Sequence, residues 1–180
     1  DIDIDDWNPE DGEPEIKPSS AGVPQITGDL LSLVPFNDAN ALEDLLKKKH
    51  NEIGTLMIEP ILGNCCSISA TQEYMQAVRD LCTKYDVILI IDEVKTGFRV
   101  AKGGVQELYG IEADLCTFAK SIANGYPIAA LCGKEEYMRH IKYGGVLHGG
   151  TFTAHSVAIS AANKTLEILQ TTDALETVAN

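Results

Sequence analysis

The sequence predicts an α/β fold built on a mostly parallel sheet. The clearest observation is an uninterrupted apolar run at residues 87–91, which is typical of a strand covered on both faces in a parallel sheet. A second observation is the alternation of short apolar runs with helical patterns through residues 29–170. With 180 residues and 44% hydrophobic content, the chain can form a single domain with its own core.

The chain begins with an acidic part. Residues 1–28 are rich in Pro, Gly and Ser, and Trp7 is their only large anchor, so we expect an irregular surface segment there. A short strand is predicted at residues 30–34. Asn37 or Asp38 then provides the N-cap of a helix that ends near residue 49.

The next strand is predicted at residues 55–58, and it ends at Glu59. Ser69, with Gln72 three residues later, is typical of a capping box. A second helix is therefore expected to run from this point to about residue 85.

The second half of the chain contains the two strands that matter most for function. The run at 87–91 stops at Asp92, and a shorter apolar run at 115–119 is followed directly by Lys120. The other elements expected after Asp92 are a short helix near 105–109, a strand at 128–132, a short helix at 134–141 and a long helix at 154–169.

Composition excludes several classes of partner. The formal net charge of −13 argues against nucleic acid and anionic membranes, because both require basic surface. No apolar run approaches the roughly 20 residues that span a bilayer. Five cysteines without C-x-x-C spacing favour reduced, buried thiols in a cytoplasmic protein. His148 and His155 lack further ligands at a recognisable spacing, so no metal site is predicted.

Asp92 and Lys120 together indicate a specific chemistry. The carboxyl ends of strands in open α/β sheets border the ligand crevice, so both side chains are expected to reach the same small molecule. An acid and a lysine placed in this way are what pyridoxal 5'-phosphate (PLP) requires. The lysine binds PLP as a Schiff base, and the acid keeps the pyridine nitrogen protonated.

The motifs around these residues resemble those of the class III aminotransferases. The matching segments read IDEVKTGFR at residues 91–99, ADL at 113–115 and AKSIANGYP at 119–127. Similarity extends over most of the chain, from about Val34 to about Leu169. The resemblance implies the large domain of the aspartate aminotransferase-like PLP fold (fold type I), with residues 128–132 as its one antiparallel strand.

The resemblance also implies roles for individual residues. Lys120 and Asp92 would be catalytic and would bind PLP, and Val94 would pack on the cofactor ring. Glu59 would lie near the cofactor. Thr151 would contact the cofactor phosphate from the neighbouring subunit of a homodimer.

Two departures from the family pattern are visible. Lys95 stands where the family more often has an uncharged residue, which is compatible with a side chain that points away from the site. The family's phosphate-binding Gly-Ser/Thr turn and ring-stacking aromatic residue are expected upstream of the chain. Residues 29–170 would therefore be an incomplete PLP-binding core, and residues 171–180 would begin the connection to a C-terminal domain.

Three functions are compatible with these residues. The first is transfer of an amino group from a small amine or amino acid to a keto acid or aldehyde. The second is an intramolecular transfer of the glutamate-1-semialdehyde 2,1-aminomutase type, which Gly63 and Asn64 favour. The run 123–127, which lacks a triple glycine, favours the first. The third is a non-catalytic fragment or pseudoenzyme.

Overall fold

The computed structural model of the chain describes residues 16, 18 and 20–179, so most of the acidic segment, with Trp7, lies outside the described residues. Four strands form the main sheet, and two short strands form a hairpin. In chain order they are β1 (Thr55–Ile58), β2 (Ile61–Leu62), β3 (Ile68–Ser69), β4 (Ile88–Asp92), β5 (Leu115–Phe118) and β6 (Ala130–Gly133).

The main sheet has the order β1-β4-β5-β6. Strands β1, β4 and β5 are parallel, whereas β6 runs antiparallel to β5. This topology confirms the predicted α/β class with a mostly parallel sheet and one antiparallel strand. The hairpin of β2 and β3 directly follows β1.

Six α-helices connect and cover these strands within the described residues. They are α1 (Ala39–Lys49), α2 (Gln72–Lys84), α3 (Gly104–Tyr109), α4 (Glu135–Met138), α5 (Ser156–Thr171) and α6 (Ala174–Ala179). Asp38 caps α1 as predicted, because its side chain accepts a hydrogen bond from the Ala41 N–H at 2.9 Å.

The predicted capping box at Ser69 is wrong. Ser69 lies in β3, and the N-cap of α2 is Thr71, two residues later, whose hydroxyl accepts a hydrogen bond from the Tyr74 N–H. The physical reason is the hairpin, since pairing of Ser69 with Ile61 keeps the chain extended past the expected cap.

The predicted strand at residues 30–34 is also wrong. A 3₁₀-helix covers Gln25–Leu30, and the following residues form no ladder. Apolar content alone suggested a strand, but Leu30 is 84% exposed and Leu31 is 58% exposed. A strand needs a hydrogen-bonded neighbour, and this segment has none in the described part of the chain.

The main core lies between α1, α2, α3 and one face of the sheet. Its largest fully buried side chains include Leu42, Leu46, Met75, Val78, Leu89 and Ile91.

The prediction of buried thiols holds for Cys82 and Cys116 but is wrong for Cys65, Cys66 and Cys132, which are exposed. Across the described residues, every helix is too short or too polar to cross a membrane.

Candidate active site

Three ionisable residues lie at the carboxyl ends of three neighbouring strands. The register pairs Ile58 with Ile91, so Glu59, the residue after β1, is adjacent to Asp92, the last residue of β4. Asp92 in turn pairs with Thr117 of β5, three residues before Lys120. The sheet therefore brings Glu59, Asp92 and Lys120 to one edge, where parallel α/β sheets bind ligands.

Asp92 is half-buried and held by two hydrogen bonds to the same oxygen. The Val94 N–H donates to Asp92 Oδ1 at 2.8 Å, and the Thr117 hydroxyl donates to it at 3.2 Å. Among the described residues, both donors bind Oδ1 and neither binds Oδ2. The second oxygen of the carboxylate can therefore accept a hydrogen bond from a ligand. Thr117 was not singled out from the sequence, although a polar residue in an apolar run three residues before Lys120 was a usable signal.

Lys120 begins a single 3₁₀ turn, Lys120–Ile122, and its side chain is exposed. Its backbone has φ of 48°, in the left-handed region that residues with a Cβ rarely adopt. Such a conformation costs about 1–3 kcal/mol and tends to occur at functional sites.

Neighbouring contacts hold the lysine turn beside β4. The Ser121 hydroxyl donates to the Gly97 carbonyl at 2.7 Å, which ties this turn to the one that follows Asp92. A Cβ at Gly97 would collide with the Phe118 ring and the Glu93 carbonyl, so only glycine allows this close approach.

Glu93 is fully buried and supports the turn after Asp92. Its carboxylate accepts hydrogen bonds from the Thr96 hydroxyl at 2.7 Å, the Val105 N–H at 3.0 Å and the Gln106 N–H at 3.2 Å. It therefore caps α3 from twelve residues away. The sequence predicted no role for it, because this contact depends on how the intervening loop folds.

Glu59 and Lys95 contact each other beside Asp92. Lys95 Nζ lies 3.6 Å from Glu59 Oε1, and the same oxygen accepts a hydrogen bond from the Gly63 N–H. The stem of Lys95 packs over Gly63, where an added Cβ would collide with Lys95 Cδ. Lys95 therefore does not point away from the site.

Val94 and Thr151 occupy different surroundings. Val94 is half-buried in the turn after β4, adjacent to Asp92 through its N–H. Thr151 is exposed in the loop that precedes α5, whose N-cap is His155. The roles predicted for both residues toward the cofactor stay predictions.

A cavity of about 410 Å³ borders the lysine turn, but the three ionisable residues at the strand ends do not line it. Its walls include Phe98, Arg99, Ser121 and residues of α5 and α6. Arg99 is the one charged residue that lines it, whereas Asp92, Lys120 and Glu59 do not. The strand ends, rather than this cavity, bring acid and amine groups together.

Comparison with known proteins agrees with this geometry. The family model of the class III aminotransferases matches residues 9–180. The chain belongs to the class III aminotransferase family. It is also 40% identical over 154 residues to a glutamate-1-semialdehyde 2,1-aminomutase from Methanococcus maripaludis, a match that covers 85% of the chain and 36% of that relative.

Solved structures place the fold in the same group. An omega-transaminase from Sphaerobacter thermophilus superposes with a TM-score of 0.82 at 32% identity, covering 89% of the chain and 37% of that structure. A transaminase with PLP bound superposes with a TM-score of 0.79 at 28% identity, covering 86% and 37%. This class III chain thus spans little more than a third of the length of its relatives.

Family membership and these structures indicate PLP as the cofactor. The described residues of this class III chain fit PLP on two counts. Asp92 offers an unused carboxylate oxygen at a strand end, and Lys120 offers an exposed amine at the neighbouring strand end. An acid for the ring nitrogen and an amine for the aldehyde are the two groups this cofactor needs.

Proposed function

We propose that the chain is the cofactor-binding part of a PLP-dependent aminotransferase. Its substrates are a small amine or amino acid as donor and a keto acid or aldehyde as acceptor. The observation that carries the proposal is the placement of Asp92 and Lys120 at the ends of hydrogen-bonded parallel strands, with Thr117 bonded to Asp92 between them. The family match supports the same chemistry.

The chemistry that PLP supplies when bound is an aldehyde that condenses with amines and a pyridine ring that accepts electrons. Asp92 would hold this ring, with its carboxylate keeping the pyridine nitrogen protonated. Because Oδ1 is fixed by two hydrogen bonds, the orientation of the carboxylate is restrained. Lys120 Nζ would anchor the cofactor and would move a proton from and to the reacting substrate carbon.

The proposal includes a homodimer with shared sites. Its support is the exposed loop that contains Thr151, where Tyr143, Leu147 and Phe152 are 101%, 85% and 68% exposed. Large apolar side chains concentrated in one loop favour coverage by another protein surface.

Val94 and Thr151 complete the proposed cofactor contacts, together with Glu59. We also propose a cytoplasmic location, supported by five free thiols.

Two experiments on the full-length protein test the reaction. Borohydride reduction followed by peptide mass mapping should place the pyridoxyl group on the peptide with Lys120; label on Lys95 or on no lysine contradicts the assignment. An amine donor alone should release one equivalent of carbonyl product per subunit, and added acceptor should restart turnover, as ping-pong kinetics requires.

An aminomutase of the glutamate-semialdehyde type is the second candidate. It is favoured by the identity to the Methanococcus maripaludis protein and by Gly63-Asn64. The run 123–127 favours the transaminase, because Ala123, Asn124 and Tyr126 carry side chains beside the lysine turn. Conversion of glutamate-1-semialdehyde to 5-aminolevulinate without an acceptor, and no turnover of donor and acceptor pairs, would select the aminomutase. Absence of both reactions would select the non-catalytic alternative.

A further inference from the structure

The Lys95 ammonium lacks the partners that a buried charge requires. Its Nζ is the one side-chain nitrogen or oxygen in the described part of the chain that is buried without a hydrogen bond. Glu59 Oε1 lies 3.6 Å away, which is within ion-pair range but too long for a hydrogen bond. An ammonium group has three N–H donors, and leaving them unpaired in a buried site is costly.

The Glu59 carboxylate has a hydrogen-bond donor that does not depend on Lys95. Its Oε1 accepts the Gly63 N–H, so the carboxylate keeps a backbone donor whether or not the ammonium is close. The Lys95 stem is meanwhile fixed over Gly63, where no larger residue fits. Among the described residues, Glu59 is the charged group within ion-pair range of the Lys95 ammonium, and Glu59 already has another partner.

The position of this cation defines what it can reach. Lys95 follows Asp92 by three residues, and Glu59 ends the strand next to β4. The ammonium thus lies at the same sheet edge as the groups proposed to bind PLP. An anionic oxygen bound at that edge would supply the missing acceptor and would form a charge-assisted hydrogen bond.

We propose that Lys95 binds the carboxylate of the substrate, so that amino acids and keto acids are preferred over simple amines and aldehydes. This inference rests on the proposed aminotransferase function. The charged or reactive groups of PLP would have partners there: Asp92 for the ring nitrogen, Lys120 for the aldehyde carbon and, through the same nitrogen, for the phenolate oxygen ortho to it, and Thr151 of a second copy for the phosphate. A carboxylate on the substrate is the anion that remains.

Glu59 acts as the counter-ion of Lys95 when no substrate is bound. It balances the ammonium charge, and its bond to Gly63 allows the substrate carboxylate to replace it without leaving Glu59 unpaired. Removing the Glu59 charge should therefore strengthen carboxylate binding, whereas removing the Lys95 charge should weaken it.

The test uses the full-length PLP-loaded protein and two unreactive ligands of the same shape, propanoate and propanamide, at neutral pH. Calorimetry should show propanoate binding that weakens at least about tenfold in Lys95→Gln and is largely kept in Lys95→Arg. Propanamide binding should change less than about twofold. Glu59→Gln should bind propanoate several-fold more tightly. Lys48→Gln, on the exposed face of α1, is the matched control and should behave like the wild type.

Several results would overturn the inference. These are no propanoate binding by the wild type, equal weakening of both ligands in Lys95→Gln, and unchanged propanoate affinity in that variant. Loss of PLP from Lys95→Gln without a change in ligand preference would assign Lys95 to the cofactor instead. If Lys95→Gln does not fold, Lys95→Met keeps the stem and carries the same expectation. Mass mapping of PLP on Lys120 tests the proposed function separately, so either can fail alone.

Discussion

Thr117 Oγ1 lies 3.2 Å from Asp92 Oδ1 and donates a hydrogen bond to it across the boundary of β4 and β5. The same two residues are backbone partners in the parallel ladder, so the side-chain bond joins positions that the sheet already holds adjacent. A carboxylate fixed in this way keeps its second oxygen directed at one place. The acid proposed to control the cofactor is thus oriented by the strand that leads to Lys120.

Replacement of Thr117 by Val should remove this bond while preserving the shape and β-branching of the side chain. With less restraint on Asp92, we expect the donor half-reaction to slow by about tenfold, which corresponds to about 1.4 kcal/mol. Single-turnover release of carbonyl product measures the rate. Thr55→Val, at an exposed position in β1, is the control and should leave the rate unchanged. An unaltered rate in Thr117→Val would show that the Val94 N–H alone positions Asp92.

Asp92→Asn should leave the fold and the cofactor linkage largely intact, because an amide oxygen still accepts from the Val94 N–H and from Thr117. The neutral amide cannot hold a proton on the ring nitrogen as a carboxylate does. We expect the deprotonation half-reaction to slow by at least about a hundredfold, or roughly 2.7 kcal/mol. Rapid-mixing kinetics with a donor alone measures this step. A near-normal single-turnover rate would mean that another residue controls the nitrogen.

Thr151 gives a test of the shared site. If its hydroxyl reaches the phosphate in the neighbouring subunit, Thr151→Ala should weaken PLP retention, as measured by the cofactor remaining after dialysis. Mixed dimers of Thr151→Ala with Lys120→Ala should then contain one intact site, and activity should return to about half per dimer. Inactive verified mixed dimers, with each single variant inactive, would argue for a site built within one chain.

The sequence was sufficient to predict the elements whose signal is local. The apolar run of β4 and the periodicity of α2 were predicted in this way, and so was the placement of Asp92 and Lys120 at strand ends, whereas the antiparallel direction of β6 was implied only by the family resemblance. Where the prediction failed, the outcome depended on partners distant in sequence. Residues 30–34 have no neighbouring strand in the part of the chain that the structure describes, and the pairing of β3 with β2 moved the start of α2.

The supporting contacts of the site were not predictable for the same reason. Glu93 caps α3 across a loop of about ten residues, and Lys95 reaches Glu59 from a different strand end. Nothing in the local pattern distinguishes either side chain from a solvated charge. Lys95 was recognisable only as a departure from a family pattern, and its contact with Glu59 requires the space that Gly63 leaves.

Asp114 joins α2, β4 and the junction between β6 and α4, and it should contribute to the stability of the fold in acid. It is buried, and Lys134 Nζ donates to its Oδ1 at 2.7 Å, while Arg79 Nη1 and the Leu89 N–H donate to Oδ2 at 3.0 and 2.8 Å. Burial raises the pKa of this carboxyl, but the hydrogen bonds from Lys134, Leu89 and Arg79 outweigh it, so the pKa lies below its usual value.

A carboxyl whose pKa is lower in the folded chain stabilises the fold above its unfolded pKa, and this contribution is lost as pH falls through the folded pKa. We therefore expect the free energy of unfolding of the full-length protein to decline as pH drops below about 4. Asp114→Asn should cost about 2–3 kcal/mol at pH 7, measured by chemical denaturation, because Arg79 and Lys134 lose the negative charge they share and an NH2 group replaces one of the two accepting oxygens. The loss of unfolding free energy in Asp114→Asn, relative to the wild type, should shrink toward pH 3.

Asp80→Asn, on the exposed face of α2, should stay within about 0.5 kcal/mol of the wild type at both pH values. A deficit in Asp114→Asn that is the same at pH 7 and pH 3 would mean that the charge of Asp114 is not what stabilises this junction.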